Sequence, residues 1–240
     1  FDPVAPPAAE KKQRIFIIRI QGKLEAILTR RFGRNIEIDG ASRTDAGVHA
    51  LAQIANFHVA DDEAVEPEEL QKYINQYLPE DIAVTGVVAA GERFHSRLNA
   101  TGKTYEYHLI PYGTYDVFAR KYAWQMTEPL DIEAMREAAG HVLGSHDFRS
   151  FCTKAAKKKS TIRTIRLLEI YETKNEIVIE ITGNGFLYNM VRILVGTLVE
   201  VGMGLRKADD IPTILEKKER RYAGETAPAC GLFLKQIYYE

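Results

Sequence analysis

The sequence predicts an α+β fold built as two layered halves, and a few observations carry that expectation. Short β-patterned runs alternate with helical stretches in each half of the chain, the order of mixed layers and not of a repeat or a bundle. With 240 residues, 45% of them apolar, the chain can bury a sizeable core. No run approaches ~18 uninterrupted apolar residues, so no membrane-spanning helix and no membrane partner are expected. Charge is balanced, 32 basic against 33 acidic residues, so a local basic patch and not the total would decide nucleic-acid binding. Cys152 and Cys230 are far apart and form no CxxC pair. That argues against a disulfide scaffold or a structural zinc site and points to a reducing, cytoplasmic setting.

Residues 1–10 are proline-rich and aperiodic and read as a loose leader. An N-terminal half, 11–112, follows. Arg14–Ile18 has the pattern of a short apolar strand. Leu24, Ile27, Leu28 and Phe32 recur at helical spacing, with Gly33 placed to stop the helix. Ile36 and Ile38 alternate as a strand leading into a Gly40–Gly47 turn, and Leu51–Val59 alternates as another. Pro67 followed by Glu68 and Glu69 opens a helix expected to end near Leu78–Pro79. Val84–Ala90 and Lys103–Ile110 read as strands. The C-terminal half, 113–240, opens with a helix from Asp131, an N-cap, to Leu143. Ile162–Glu172 and Glu176–Thr182 form a hairpin around Thr173-Lys174-Asn175. Leu187–Val201 is apolar enough for a buried helix, Asp209–Lys218 is a surface helix, and Leu232–Tyr239 is a final strand. Halves of this kind, joined by continuous strands, leave a cleft between them.

The densest polar cluster is Ser42-Arg43-Thr44-Asp45-Ala46-Gly47-Val48-His49-Ala50, set between two expected strands where a loop presents side chains from a rigid frame. A guanidinium two residues from Asp45 favours the ionised carboxylate, which suits nucleophilic attack or charge stabilisation better than acid catalysis. The same residues also write an Asx-type turn, with Asp45 bonding its own backbone and Gly47 supplying positive φ, and composition alone favours that turn.

A second cluster runs Arg93-Phe94-His95-Ser96-Arg97, then Thr101-Gly102-Lys103-Thr104-Tyr105-Glu106-Tyr107. Alternation puts Lys103, Tyr105, Tyr107 and Leu109 on one strand face. Cations for phosphates and rings for unpaired bases suit nucleic acid, while tyrosines packed inward with bonded hydroxyls are the equal alternative. A third cluster, Gly183-Asn184-Gly185-Phe186-Leu187-Tyr188-Asn189-Met190-Val191-Arg192, feeds a glycine-rich turn into an apolar helix holding one arginine. A buried Arg192 needs a partner. Asp45 is the candidate, and escape to solvent along the methylene stem is the alternative. Lys154, Lys157, Lys158, Lys159, Arg163 and Arg166 make a basic loop, either a solvated charge run or a phosphate contact with salt-dependent RNA affinity. The six histidines show no HxxxH or HExxH spacing, so no metal is assigned.

Together these segments resemble the tRNA pseudouridine synthases of the bacterial TruA family. Arg43-Thr44-Asp45-Ala46-Gly47-Val48-His49-Ala50 resembles that family's RTDAGVHA signature, in which the aspartate is catalytic. Arg93-Phe94-His95-Ser96-Arg97 resembles its RFHAR segment, and Lys103-Thr104-Tyr105 supplies the matching tyrosine. Asn189-Met190-Val191-Arg192 resembles the element whose arginine pairs with the catalytic aspartate, and Ala227-Pro228-Ala229-Cys230-Gly231-Leu232 the AP-x-x-GL motif whose leucine lines the pocket. The likeness runs from about Gln21 to the end. It departs at Ser42, where the family usually has glycine, and at Ser96, where it has alanine. The family's YDG-x-x-F-x-GWQ-x-Q loop also has no counterpart, since Arg14–Ile18 runs almost directly into Arg19-Ile20-Gln21.

The resemblance implies two ferredoxin-like halves with sheets merged around a central cleft, and isomerisation of uridine to pseudouridine at positions 38–40 of the tRNA anticodon stem-loop by a homodimer. It needs no cofactor. Asp45 would attack C1′ or open a glycal route. Arg192 would hold and aim it, Tyr105 would stack on the flipped base, and Leu232 would exclude water. Arg43 would fill the space the base leaves or hold its phosphate, and Arg97, Lys103, Lys157, Lys158 and Lys159 would contact the RNA. Two other classes remain open on the residues alone: a non-catalytic RNA-binding or chaperone protein, and a phosphate-ester hydrolase using Asp45 with a histidine such as His49.

Overall fold

The computed structural model describes residues 20–60, 63, 66–153 and 160–239. The expected leader 1–10, the strand Arg14–Ile18 and Lys154, Lys157, Lys158 and Lys159 lie outside the described residues. Contacts group the chain into two compact units, one made of the chain through Ile38 with Phe57–Glu92, the other of Asp39–Asn56 with Arg93–Glu240. These boundaries fall at 38/39, 56/57 and 92/93, whereas the sequence expectation divides at 112/113.

In the first unit, α1 (Ile20–Phe32) and α2 (Pro67–Tyr77) share a small core in which Leu28, Ile36, Ile38, Leu70 and Ile74 are buried, with Leu24, Ile27 and Phe32 against them. Gly33, at φ +68, turns the chain out of α1 as its N–H returns to Thr29 O. Pro67 opens α2, with Glu68 and Glu69 in its first turn. Neither Ile36–Ile38 nor Val84–Ala90 is a strand. The alternation is real, because Ile36 and Ile38 are buried, but side chains take the backbone groups a ladder would use. Ile36 N–H donates to Thr29 Oγ1, Ile38 N–H to Glu25 Oε1, and Val84 is clipped at both N and O by Asn75, each of those two bonds 2.8 Å.

The second unit holds β1 (Asp39–Gly40), β2 (His49–Ala50), β3 (Ala55–Asn56), β4 (Gly102–Ile110), β5 (Trp124–Gln125), α3 (Ile132–Gly140), β6 (Gly144–Asp147), β7 (Ile162–Glu172), β8 (Ile177–Gly183), α4 (Met190–Gly202), α5 (Asp210–Lys217) and β9 (Leu232–Tyr238). β1 pairs with β3. The main sheet runs β2-β9-β4-β8-β7-β6, with β5 on the end of β4. It is mixed, parallel at β2–β9 and β4–β5 and antiparallel elsewhere. The fold class is therefore α+β, as the element order predicts. Of the expected strand Leu51–Val59 only Ala55–Asn56, β3, is strand: Leu51 and Ala52 N–H both turn onto Leu234 O, continuing from β2, while Ala55 and Asn56 pair back to β1.

One face of β4 presents Tyr105, Tyr107 and Leu109 to a core with Ile179 and Ile181 of β8 and Ile193 and Leu194 of α4. Burial nearly all round α4 follows from its composition, and α3 packs Met135, Ala138 and Ala139 into the same core. The opposite face of β4 is polar. There Lys235 Nζ spans Glu106 Oε1 at 2.6 Å and Glu180 Oε2 at 2.7 Å, and His108 Nδ1 meets Glu176 Oε2 at 2.8 Å. A segment around Glu225 crosses α4 so closely that a Cβ on Gly196 would lie 1.9 Å from Glu225 O. Thr197 Oγ1 accepts from Gly224 N–H and Glu200 Oε1 from Glu225 N–H, while Arg206 pairs with Glu200 and donates to Tyr222 O. This crossing fixes where residues 227–232 re-enter the sheet.

Candidate active site

The loop carrying Asp45 closes through its backbone. Val48 N–H donates to Asp45 O at 3.0 Å, and Gly47 sits at φ +83, where a Cβ would face the Ala229 Cβ at 3.3 Å. An Asx turn would spend the carboxylate on its own backbone, but here the Asp45 carbonyl makes the closure. Among the described residues no hydrogen bond or ion pair engages the Asp45 carboxylate. A half-buried carboxylate without a local partner, on a loop this constrained, is available to a ligand.

The constraint comes from several sides. Ser42 Oγ and Tyr105 OH lie 3.1 Å apart, and Gln53 brackets the Ser42 backbone at both N and O. Lys103 Nζ donates to Ala41 O at 2.8 Å, and Arg97 donates through Nε and Nη2 to Gly40 O at 3.2 and 2.9 Å. Ser96, fully buried, donates Oγ–H to Asp39 O. On the other flank, the parallel register His49↔Phe233 and Ala50↔Leu234 ties the loop's exit to β9. Arg97 and Lys103, expected to contact RNA, thus bind loop carbonyls, although the Arg97 side chain stays exposed, as does Arg43.

Tyr105 is 8% exposed, with its ring edge-on to Phe186 at 5.2 Å. Burial pushes its phenol above the ordinary value; the Ser42 hydrogen bond opposes this and the Asp45 charge adds to it, so Asp45 and Tyr105 lie within electrostatic reach. Burial, assisted by Arg97, lowers Lys103. Two residues along, Tyr107 donates its hydroxyl to Pro228 O at 2.7 Å, and burial raises its phenol well above the ordinary value.

Arg192 lies half-buried in the first turn of α4. Its expected ion pair with Asp45 is absent among the described residues. Nε donates instead to Ala227 O at 2.7 Å and Nη1 to Asn189 Oδ1 at 3.3 Å, while Ala227 N–H returns to Arg192 O at 3.1 Å. The physical reason is proximity: the segment crossing α4 brings a carbonyl to the guanidinium, and a carbonyl satisfies a half-buried arginine without burying a second charge. The connection to Asp45 is indirect. Arg192 grips Ala227, Ala229 packs at Gly47, and Leu232, buried opposite Tyr107, starts β9. Asp45, Tyr105, Arg192, Arg43, Arg97, Lys103 and Leu232 all lie in the second unit.

His49 is engaged elsewhere. Its Nε2 donates to Lys121 O at 2.8 Å and its ring stacks on Phe233 at 4.6 Å. Among the described residues no group of three or more histidine, cysteine or carboxylate side chains is placed to hold a metal ion. Sequence reasoning named Ser42, Tyr107 and Pro228 but not their partners here, Ser42 with Tyr105 and Tyr107 with Pro228. For Tyr107 the alternative of an inward-packed ring with a bonded hydroxyl is what the structure shows.

A family model described as tRNA pseudouridine synthase matches residues 5–99 and 138–240. The chain is 46% identical over 220 residues to a tRNA pseudouridine synthase A 2 of Bacillus cereus, covering 92% of this chain and 89% of that protein. It is also 46% identical, with the same coverage, to tRNA pseudouridine synthase A of Bacillus sp. (strain KSM-64). To tRNA pseudouridine synthase A 2 of Clostridium tetani it is 40% identical over 230 residues, 96% of this chain and 92% of that one. With these matches over most of its length, the chain belongs to the tRNA pseudouridine synthase family, isomerases that act on uridine in tRNA.

Proposed function

We propose that this chain converts uridine to pseudouridine at positions 38–40 of the tRNA anticodon stem-loop, with Asp45 as the nucleophile. The observation that carries this reading is the Asp45 carboxylate, unpartnered among the described residues yet held on a loop tethered to β4 and β9 and lying near Tyr105. The target base leaves the stack at a cost of a few kcal/mol, offset by contacts in the site. Asp45 either attacks C1′ as the N1–C1′ bond breaks or removes a sugar proton to open a glycal. The freed uracil turns and bonds to C1′ through C5, the C5 proton is lost, N1 takes a proton, and the carboxylate is regenerated. Tyr105, kept neutral by its burial, lies beside the base. Leu232 excludes water. Arg192 acts by clamping Ala227, so that Ala229 backs the Asp45 loop. Arg43 and Arg97 present exposed guanidinium groups to phosphates, and Lys157, Lys158 and Lys159 supply further charge. The reaction as written needs no cofactor. We assign it to the cytoplasm and to a homodimer, in which one tRNA lies across two copies.

The test is tritium release from tRNA carrying 5-tritiated uridine. Wild type should release it, while Asp45→Asn should bind tRNA with unchanged affinity and release none. Measurable turnover in Asp45→Asn would overturn the assignment of the nucleophile.

A further inference from the structure

Between β4 and β5 the second unit exposes large apolar side chains in one stretch. Tyr112, Tyr115, Val117, Phe118 and Tyr122 are all exposed, Tyr115 by 83% and Phe118 by 85%. Their backbone is braced. Thr114 N–H donates to Pro111 O at 3.1 Å, Gly113 turns at φ +81, and Asp116 Oδ1 accepts from Phe118 and Ala119 N–H at 2.9 and 3.0 Å. Tyr122 and Ala123 N–H then both return to Ala119 O. Rings held outward on a braced backbone mark a contact surface. Arg120 and Lys121 follow directly and are exposed as well.

This stretch touches the catalytic loop. Lys121 O accepts from His49 Nε2, and the Tyr122 ring lies 5.1 Å from the His49 ring. Residues 100–137 also fall outside the segments matched by the family model, so the family match does not account for the exposed rings.

We infer that Tyr115 and Phe118, with Arg120 and Lys121, form a platform for unpaired bases of the RNA whose uridine Asp45 takes. The rings stack on bases flanking the reacting nucleotide and the cations meet their phosphates. The inference rests on the reading of Asp45 given above. RNA suits the patch better than a second protein surface does, because the apolar residues are aromatic apart from Val117. Arg120 and Lys121 would, moreover, be buried in a protein interface with only Asp116 of opposite sign in the stretch, and its Oδ1 already serves the backbone.

The experiment uses the full chain with Tyr115→Ala/Phe118→Ala, and a ring-preserving control, Tyr115→Phe/Phe118→Tyr. Tritium release is measured on a stem-loop RNA, and anisotropy on that stem-loop and on a loop-free RNA duplex. The alanine pair should raise KM and weaken stem-loop affinity about tenfold or more. Its kcat should stay within about twofold, duplex affinity should be unchanged, and the control should match wild type. Unchanged KM and stem-loop affinity in the alanine pair would overturn the platform. So would a fall in sedimenting mass without a stem-loop-specific loss, which would make this face an interface between copies. If wild type releases no tritium, the reading of Asp45 falls, while the anisotropy comparison still decides the platform.

Discussion

Tyr107 shows how one side chain supports the site without touching substrate. Its hydroxyl donates to Pro228 O, and its ring fills the space beside Gly231, where a Cβ would come within 2.7 Å of ring carbons. Phenylalanine keeps the ring and removes the donor, so Tyr107→Phe should cost about 1 kcal/mol in urea unfolding. Because Pro228 lies between the Ala227 held by Arg192 and the Ala229 packed at Gly47, the same variant should lower kcat more than it raises KM. Asp45 is the contrasting case. Its proposed role uses a carboxylate that no described residue engages, on a loop closed through Val48 and tethered at Gly40, Ala41 and Ser42.

Among elements, α4 carries the most consequence, because its mid-helix Gly196 admits the crossing segment that delivers residues 227–232. Ala at Gly196 must push Glu225 O away from a 1.9 Å approach. Thermal unfolding of Gly196→Ala should therefore show a loss of about 1–3 kcal/mol, with tritium release falling further than stability. At Gly22 in α1 nothing lies within 4 Å of where a Cβ would stand; Gly22→Ala should stabilise by about 1 kcal/mol, since it only removes glycine's backbone freedom from a helix. If both substitutions behaved alike, the close crossing would not matter. The strand and helix runs of the C-terminal part were legible because their periodicity coincides with burial: β7, β8, α3, α4, α5 and β9 lie where the pattern puts them. Ile36–Ile38 misled because its alternation reports burial and not pairing, with Thr29 and Glu25 taking the ladder's hydrogen bonds. In Val84–Ala90, by contrast, Asn75 holds Val84 and Val88 is exposed, so the pattern there marks neither pairing nor burial.

For the molecule as a whole, titration offers the broadest test. Tyr105, Tyr107 and Tyr239 are raised by burial, and Lys235 is raised by its hydrogen bonds to Glu106 and Glu180. In each the folded state holds its proton more tightly than the unfolded chain. Their contribution is complete below the ordinary values of about 10 and is lost as pH rises through the folded ones. Lys103 and Arg220, lowered by burial, act oppositely. Stability should therefore hold up to about pH 10 and then fall, and the alkaline loss should be smaller in Tyr107→Phe than in wild type. A flat profile in wild type would contradict the burial of these phenols.

By itself the sequence determined the α+β class, the later helices and strands, and the loop that carries Asp45, because periodicity and turn chemistry are local and the signature residues are contiguous. Only the tertiary structure decided the partners. Arg192 took a carbonyl and not the carboxylate, Lys103 and Arg97 turned to loop carbonyls, and Ser42 reached Tyr105. Those choices join residues far apart in the chain. A hydrogen-bonding group satisfies itself with whatever acceptor the crossing of segments brings within about 3 Å, and no spacing along a sequence records where segments cross.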